Sequence, residues 1–527
     1  MAQSAPPPPP PTADAVGAPP SVEEIQKAAQ EQQIDPYNVS GARDENGNVK
    51  ALDYEALRQR FNTPALTEEH LKRFEQVTGK PPHRLMRRKM FFSHRDFDKI
   101  LDHYEKYGFF LLYTGRGPSS GSMHLGHSVP FMFTKELQDI FDVPLVIMLT
   151  DDEKFLYTRN KNNGKLTKGA ALGDFIKYAL ENAKDIIALG FDVKKTFMYS
   201  DYEYMGGHFY QNVSEFESLL TNNQIRGALG FNESTNVGLN AYAAKQCVAA
   251  FASSYPTIFG CGDWRAPDYA EMRPRKQIAA IPTLIPCAID QEPYFRLVRE
   301  NCGRMEMPSP KAALVLSKFL TALQGPGGKM SASDPTSAIF MSDTPSQIKN
   351  KINKYAFSGG GATKEEHEQY GGNPDVDVAY TYLTYFLDDD EELAQIEANY
   401  RKGTLSTGEL KKRCIEELQK FVGAFQERRA KVTDEVLRQF MTPRKLEFKG
   451  NPNAKFSMED LAGKGETKAK DGEKTGPQGG RETSKSERKQ AKIEAKKAEK
   501  LAEKLALREK QGQDQTQPPA QQLGSEA

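Results

Sequence analysis

The chain has 527 residues, with 71 basic and 71 acidic side chains, so its formal net charge is zero. This length predicts several domains rather than one hydrophobic core. A net charge of zero gives no support for nucleic-acid binding. Such binding would have to come from local basic patches. The five cysteines are odd in number and show no zinc-type Cys-x-x-Cys spacing, which favours a reducing compartment over secretion.

The two ends of the chain differ in composition from its middle. Residues 1–45 are rich in Pro, Ala, Gln and Glu and are expected to be disordered, with Pro6–Pro11 extended. Residues 449–527 are of low complexity, with a basic helix expected over 485–510. Two interpretations of that helix stay open: an electrostatic grip on an RNA backbone and a solvated charged helix.

No targeting or membrane segment is evident between these ends. The N-terminus has neither a signal-peptide core nor a transit-peptide pattern. The longest central apolar run, Val143–Leu149, is too short to span a bilayer. We therefore expect a cytoplasmic protein with no membrane partner.

The middle of the chain begins with helical patterning and then alternates. Residues 46–95 are expected to form an N-terminal extension that packs near the active site. Over 96–345, strand-like runs alternate with amphipathic helices, which predicts an α/β fold with a Rossmann-type, doubly wound parallel sheet and a helical insertion at about 155–245. Residues 346–448 are predicted to be all-helical. The alternating elements are, in chain order, strand Phe109–Thr114, helix His124–Phe141, strand Pro144–Thr150, helix Leu172–Leu189, strand Thr196–Ser200, strand Thr283–Ile289, helix Glu292–Asn301 and strand Ala312–Phe319.

Two short segments carry the strongest functional signal. Met123–His127 follows one predicted strand through the Gly-rich stretch Gly115–Gly121, and Lys329–Ser333 follows another through Gly325–Gly328. Each supplies glycines, hydroxyls and nitrogen donors, but no obvious nucleophile or general base. Both segments follow the carboxyl ends of predicted strands, where ligands of such sheets bind. They are equipped to hold a polyphosphate rather than to perform covalent catalysis.

The pair resembles the His-Ile-Gly-His and Lys-Met-Ser-Lys-Ser signatures of class I aminoacyl-tRNA synthetases. Thr150–Lys154, Ala288–Gln291 and Tyr113–His127 are similar to the corresponding segments of eukaryotic cytoplasmic tryptophanyl-tRNA synthetases, and the likeness runs from about 53 to 448. The resemblance implies that L-tryptophan is activated with ATP and Mg²⁺ to tryptophanyl-adenylate and transferred to the 3′ end of tRNA(Trp). It also implies a homodimer and an anticodon-binding role for residues 346–448.

Adenylate formation develops charge on phosphate oxygens, so its catalysis is positioning plus electrostatic stabilisation. His124 and His127 lie three apart at the start of a helix and share a face, while Gly126 leaves room for adenosine. Mg²⁺ is expected to arrive with ATP. The predicted catalytic residues are His124, His127, Lys154, Lys329, Ser331 and Ser333. The predicted ATP-binding residues are Arg116, Gly117, Ser119, His124, Gly126, His127, Lys329, Met330 and Ser331.

The amino acid requires different contacts. The resemblance implies that the ammonium and carboxylate of tryptophan bind to three polar side chains, Glu153, Gln246 and Gln291. It places Gly115 against the indole and the Tyr113 hydroxyl as acceptor of the indole N–H.

The chain departs from the family at two positions and adds a pair of carboxylates. Ala332 replaces the second signature lysine, and Arg116 and Lys154 are available to restore that charge. Met148 stands where relatives place an amide or carboxylate, and we interpret it as a core residue of its strand. We give Asp151 and Asp152 a structural role, such as capping or orienting Glu153 and Lys154, because adenylate formation needs no paired acid and base.

Two alternative functions stay open and a third is disfavoured. A tyrosyl-tRNA synthetase is the nearest relative in fold, but it lacks the Thr150–Lys154 sequence. A non-catalytic binding protein on a synthetase fold is the second alternative, although both signature segments are chemically intact. A dinucleotide-dependent oxidoreductase needs Gly-x-Gly-x-x-Gly at a strand–helix turn, and Gly115–Gly117 continues differently.

Overall fold

The structure is a computed structural model. It describes residues 32–44, 49–261, 272–325, 327, 330–332, 334–457 and 460–461. Predictions made for residues 1–31, Lys329, Ser333 and the basic helix 485–510 lie outside these ranges.

A six-stranded sheet organises the described chain, and a two-stranded hairpin precedes it. The sheet has the strand order β3-β8-β7-β4-β5-β6, and every neighbouring pair is parallel except β3 with β8. The hairpin strands β1 and β2 are antiparallel. The strands are β1 Gln33–Ile34, β2 Val39–Ser40, β3 Phe91–Arg95, β4 Leu111–Arg116, β5 Leu145–Leu149, β6 Thr196–Ser200, β7 Thr283–Ala288 and β8 Ala313–Ser317.

Helices pack against the sheet and then form a helical region of their own from residue 345 onward. No helix in the described ranges is both long enough and apolar enough to cross a membrane. The α-helices are α1 Tyr54–Arg60, α2 Glu68–Thr78, α3 Arg84–Arg87, α4 Phe97–Tyr107, α5 Leu125–Phe141, α6 Asp151–Lys161, α7 Leu172–Ala188, α8 Asp201–Tyr204, α9 Gly207–Leu219, α10 Asn222–Leu229, α11 Val237–Val248, α12 Met272–Ala279, α13 Glu292–Asn301, α14 Pro345–Tyr355, α15 Lys364–Tyr370, α16 Val378–Phe386, α17 Asp390–Arg401, α18 Thr407–Arg429 and α19 Asp434–Met441.

The central strands are apolar along their whole length because both faces of the sheet are covered. All five residues of β5 are buried, as are all five of β6 and all five of β8. This continuous burial is typical of parallel strands between two helical layers, whereas a half-exposed strand would alternate polar and apolar residues. The predicted α/β class with a doubly wound sheet is confirmed.

The order of the strands fixes where a ligand binds. From central β4 the chain proceeds to β5 and β6 on one side of the sheet. It then returns to β7 and β8 on the other side. The helices after β4 and β7 therefore diverge, and a crevice opens at the carboxyl ends of these two strands. Both Gly115 and Ala288 lie at this edge.

The predicted strands and helices of the sheet region agree with the structure to within two residues at each end. Two expectations were wrong. Residues 32–44 are ordered, not part of a disordered segment 1–45, because a hairpin and a turn fix them. The sheet begins at β3, inside the predicted extension 46–95, where Phe91 is fully buried and pairs with Ser317 of β8.

A buried ion pair connects the antiparallel edge strand to the helical layer. Arg95 Nε lies 2.9 Å from Glu292 Oε1, and Arg95 Nη2 donates to the Phe61 carbonyl at 2.7 Å. The Glu292 side chain is 0% exposed. Its charge therefore depends on the guanidinium for compensation.

We expect Arg95→Met to lower the free energy of unfolding by about 3–5 kcal/mol, because it leaves a buried carboxylate uncompensated. Urea unfolding measures this loss, and adding Glu292→Gln should recover most of it. Lys99→Met is the control, since it removes an ion pair whose lysine is 74% exposed and should cost about 1 kcal/mol or less. Equal losses from Arg95→Met and Lys99→Met would contradict this account.

Candidate active site

A cavity of about 280 Å³ lies at the carboxyl edge of β4 and β7. It contains twelve of the residues that the sequence predicted for the site. Ser119 and Ser331 lie outside its lining. The predicted residues that line it are Tyr113, Gly115, Arg116, Gly117, His124, Gly126, His127, Glu153, Lys154, Gln246, Gln291 and Met330.

The two signature histidines form one stacked unit at the start of α5. Their ring centroids are 3.5 Å apart and their planes differ by 23°. His124 is the N-cap residue, with extended backbone, and its N–H donates to His127 Nδ1 at 3.4 Å. The N-terminal end of α5 and the two imidazoles therefore line the same cavity through His124, Gly126 and His127. A helix N-terminus with two imidazoles favours an anionic ligand such as a polyphosphate.

The second signature segment packs on the first at Gly126. A Cβ at this position would lie 3.2 Å from the His124 ring and 3.5 Å from Met330 Sδ. Met330 itself is only 4% exposed. A Cβ at Gly126 would therefore be tight against the His124 ring and in ordinary contact with Met330, so the glycine leaves room for the ring of His124.

Arg116 and Lys154 bring positive charge to the same cavity. Arg116 Nε donates to Asn182 Oδ1 at 3.1 Å, while its buried Nη2 has no partner among the described residues. Burial lowers the pKa of Arg116 to about 10, which leaves the side chain charged at neutral pH. Lys154 Nζ lies 2.9 Å from Glu153 Oε2. A buried guanidinium nitrogen without a partner is suited to an anionic ligand.

The opposite end of the cavity is built around the Tyr113 hydroxyl. This hydroxyl donates to Met148 Sδ at 3.0 Å and accepts from Gln246 Nε2 at 3.3 Å. Gln246 Oε1 in turn accepts from the Tyr242 hydroxyl at 2.7 Å. Met148 is fully buried, as predicted for a core residue, and it orients the Tyr113 hydroxyl as well. One lone pair of Tyr113 Oη stays available to a ligand donor.

Glu153 supplies a buried carboxylate beside this apolar end. It is 5% exposed, and its Oε1 has no hydrogen-bond partner in the described part of the chain. Burial raises the pKa of Glu153, while the Lys154 ammonium opposes that shift. An acceptor in this state is suited to a cationic ligand group such as an ammonium.

The sequence missed Tyr37, which covers the cavity from the N-terminal hairpin. Its ring stacks on Tyr157 at 4.9 Å, and its hydroxyl lies 2.7 Å from that of Tyr294. The turn sequence Asp35-Pro36-Tyr37-Asn38 could have indicated an ordered segment here, and in the structure Asp35 Oδ1 accepts from the Tyr37 N–H at 2.9 Å. The low-complexity composition of the preceding residues led to a prediction of disorder instead.

The paired aspartates lie behind the cavity and join three elements. Asp151 accepts from the Ser200 hydroxyl at 2.5 Å and from the Asp201 N–H at 3.1 Å. Asp152 Oδ2 accepts from Lys245 Nζ at 2.8 Å. The carboxylates therefore connect α6 to β6, α8 and α11, a structural role that differs in its partners from the predicted capping of Glu153 and Lys154.

Comparison with known proteins agrees with this geometry. Residues 106–423 match the family model described as tRNA synthetases class I (W and Y). The chain is 53% identical over 423 residues to the cytoplasmic tryptophan–tRNA ligase of Schizosaccharomyces pombe, covering 80% of this chain and 100% of the relative. The human cytoplasmic tryptophan–tRNA ligase is 49% identical, covering 80% and 83% of the two chains.

Solved structures show the same likeness. The tryptophanyl-tRNA synthetase of Giardia lamblia superposes with a TM-score of 0.68 at 41% identity, covering 75% of this chain and 97% of that one. The Encephalitozoon cuniculi enzyme, solved bound to tryptophan, gives a TM-score of 0.62 at 34% identity, covering 74% and 100%.

The doubly wound sheet, the paired signature segments at its carboxyl edge and the family match define a class I tRNA synthetase. The relatives named above, at about half identity over four fifths of the chain, are tryptophan–tRNA ligases. The chain belongs to the tryptophan–tRNA ligase family.

The three buried carboxylates behind the site, those of Asp151, Asp152 and Asp201, make the stability of the protein depend on pH. Asp201 is 2% exposed, and burial, together with the carboxylates of Asp152 and Asp151, raises its pKa well above the usual range. Burial also raises the pKa of Asp151 to about 6. The folded protein therefore keeps protons that the unfolded chain loses above about pH 4, so stability falls as pH rises toward 7.

We expect Asp201→Asn to stabilise the protein at pH 7 by about 1 kcal/mol or more, because the amide cannot ionise. The gain should shrink toward pH 4, where the aspartate is protonated in the folded state and about half protonated in the unfolded chain. Urea unfolding at several pH values measures it, with the half-exposed Asp139→Asn as control. Destabilisation by Asp201→Asn that is equal at pH 4 and pH 7 would contradict this account.

Proposed function

We propose that the chain activates L-tryptophan with ATP and Mg²⁺ to tryptophanyl-adenylate and transfers the tryptophanyl group to the 3′ end of tRNA(Trp). The observation that supports this most strongly is a single cavity with two chemically distinct ends. One end holds His124, His127 and Arg116 for phosphates, and the other holds Tyr113 and Glu153 for an aromatic amino acid. The relatives named tryptophan–tRNA ligases support the same proposal.

The amino-acid end selects an indole through the Tyr113 hydroxyl. That hydroxyl already donates to Met148 Sδ at 3.0 Å, so towards a ligand it acts as an acceptor. An indole N–H is a donor only, and it pairs with the remaining Oη lone pair. Gly115 adds no side chain beside the ring: a Cβ there would lie 3.7 Å from Tyr113 Oη. The six-membered and five-membered rings then pack against the apolar wall of the cavity.

Glu153 and Gln246 orient the α-amino and α-carboxylate groups. The buried Glu153 Oε1, which has no partner in the described part of the chain, accepts from the tryptophan ammonium. Gln246 and Gln291 lie on two other walls of the same cavity and supply amide donors for the carboxylate. With the ammonium held, the carboxylate is directed toward the end of the cavity that binds ATP.

In the activation step a carboxylate oxygen of tryptophan forms a bond to the α-phosphorus of ATP, and the bond from that phosphorus to the bridging oxygen breaks. Pyrophosphate leaves with the electron pair. His124, His127 and Arg116 stabilise the charge on the phosphate oxygens, and Lys154 adds a further cation. Lys329 and Ser333, outside the described ranges, are expected to hold the leaving pyrophosphate together with Ser331. Mg²⁺ enters with ATP and supplies charge neutralisation on the phosphates.

In the second step a hydroxyl of the terminal adenosine of tRNA(Trp) attacks the carbonyl carbon of the adenylate, and AMP leaves. The helical region that begins at residue 345 is proposed to bind the anticodon, as the predicted domain 346–448. We further propose a homodimer and a cytoplasmic location. The location is supported by the names of the relatives, which are cytoplasmic ligases.

Tyr113→Phe should lower kcat/KM for tryptophan about ten- to hundredfold in ATP–pyrophosphate exchange. It removes the acceptor for the indole N–H and leaves the buried Gln246 amide without its partner. The wild type should discriminate against benzothienylalanine, whose ring sulfur replaces the N–H, and the variant should lose most of that discrimination.

Tyr104→Phe is the matched control, because the Tyr104 hydroxyl is also buried but donates to the Phe141 carbonyl away from the cavity. It should leave both substrates unaffected. Unchanged discrimination in Tyr113→Phe would remove this hydroxyl from indole recognition.

The experiment that tests the whole proposal is aminoacylation of purified transcripts. The full chain with ATP, Mg²⁺ and tryptophan should acylate a tRNA(Trp) transcript and leave a tRNA(Tyr) transcript uncharged with either tryptophan or tyrosine. Charging of tRNA(Tyr) with tyrosine would replace the substrate assignment. Charging of neither transcript by a chain that binds ATP would favour the non-catalytic alternative.

A further inference from the structure

The last turn of α18, in the C-terminal helical region, reaches the residue before the first signature histidine through one intermediate side chain. Arg429 Nε donates to Asp185 Oδ1 at 2.8 Å, and Arg429 Nη2 donates to Glu181 Oε2 at 2.7 Å. The second Asp185 oxygen, Oδ2, accepts from the Met123 backbone N–H at 3.2 Å. Two intervening hydrogen bonds therefore connect Arg429 to the backbone that enters His124.

A second side chain of the same turn holds the opposite side of that backbone. Gln426 Nε2 donates to the Met341 carbonyl at 2.9 Å and to the Asp343 carbonyl at 3.0 Å. The Met341 N–H donates to the Met123 carbonyl at 2.9 Å. Both backbone polar groups of Met123 are therefore connected to α18. Its N–H is connected through Asp185, and its carbonyl is connected through Met341.

Backbone contacts with the same segment continue at His124 and Leu125. The Leu125 N–H donates to the Ile339 carbonyl at 2.9 Å, and His124 pairs with Phe340 as an isolated antiparallel bridge. Segment 339–341 therefore forms a short antiparallel bridge with segment 123–125. Gln426 connects this segment to α18, and Gln419 of the same helix donates to the Pro345 carbonyl at 2.8 Å just beyond it.

The contact between Arg429 and Asp185 is largely buried. The Asp185 side chain is 8% exposed, against 26% for Arg429. A largely buried carboxylate that accepts from a guanidinium and from a backbone N–H makes charge-assisted bonds, which are about twice as strong as neutral ones. Removing the guanidinium leaves that carboxylate uncompensated and free to shift.

Helix α18 is long enough to connect distant parts of the molecule. Its 23 residues, Thr407–Arg429, span about 35 Å as a single helix. It begins at the Ser406 N-cap, where the Ser406 side chain and Glu409 form a capping box. Near this end Lys411 Nζ donates to the Ala356 carbonyl at 2.9 Å, and at the other end Arg429 contacts Asp185, so one helix connects the two places.

We propose that Arg429, Asp185 and Gln426 are positioning residues that set the location of Met123 and therefore of His124, and that they couple the C-terminal helical region to amino-acid activation. This inference rests on the proposed function, because it assigns His124 to the activation step. A displacement of about 1 Å at the reacting groups lowers a rate by as much as ~10²-fold.

Another contact between α18 and α7 supplies a matched control. Arg428 Nε donates to the Ala188 carbonyl at 2.6 Å. This contact involves neither Met123 nor Met341. It holds the two helices together without touching the signature segment, so it separates general docking from positioning.

The test is tryptophan-dependent ATP–pyrophosphate exchange by the full chain. Arg429→Met should lower kcat about tenfold or more, while the KM for tryptophan stays within about twofold, because binding of the amino acid does not require His124. Arg429→Lys should recover part of kcat by keeping the charge. Arg428→Met should retain wild-type kcat.

Amide hydrogen exchange of the peptide around Met123 gives a readout that does not depend on activity. It should be faster in Arg429→Met than in the wild type and unchanged in Arg428→Met. If Arg429→Met does not fold, Gln426→Met removes only two hydrogen bonds and should show both effects to a smaller degree.

Wild-type kcat in Arg429→Met and Gln426→Met would overturn the inference, as would equal losses in Arg428→Met and Arg429→Met. An inactive wild type would refute the proposed function instead. In that case unchanged exchange at Met123 in Arg429→Met would still refute the positioning contact, and faster exchange would still support it.

Discussion

The pairing of β4 with β5 on one side and with β7 on the other is the constraint on which the site depends. It places Gly115 opposite Met148 and brings the ends of β4 and β7 to one edge. The contact between the Tyr113 hydroxyl and Met148 Sδ then follows from this register. A one-residue shift in the β4–β5 register would turn Met148 away from Tyr113 and remove the acceptor that orients its hydroxyl.

Charge at the site is arranged for ligands rather than for stability. Arg116 Nη2 and Glu153 Oε1 are buried and have no protein partner within the described chain. Such groups are costly in the empty protein. In the proposed function they are compensated by a phosphate of ATP and by the ammonium of tryptophan. Burial of three carboxylates behind the site, those of Asp151, Asp152 and Asp201, also lowers the stability of the protein. The ion pair of Lys245 with Asp152 offsets only part of this loss.

The sequence predicted the sheet and most of the site because their signals are local. Continuous apolar runs identified β5 and β6, and the Gly-rich turns after β4 marked the signature segment at His124. The partners of Asp151 were not predictable in the same way, because Ser200 lies 49 residues away and meets it only across the sheet. The role of Met148 likewise depends on where the Tyr113 hydroxyl points, which is a property of packing.

Tyr37 and β3 show a different limit. Tyr37 lies next to a proline-rich and glutamine-rich stretch whose composition predicts disorder, yet its ring is held by Tyr157, 120 positions further along the chain. Strand β3 is five residues long and follows a short helix, so nothing local distinguishes it from an extended linker. Its identity comes from pairing with β8, more than 200 residues later.

The central claim is that the cavity activates one amino acid, tryptophan, with both signature segments acting on ATP. The measurement that tests it most directly is ATP–pyrophosphate exchange without tRNA, run with each of the twenty amino acids. The account predicts exchange with tryptophan alone. Exchange with tyrosine, or silence with all twenty from folded protein that binds ATP, would contradict it.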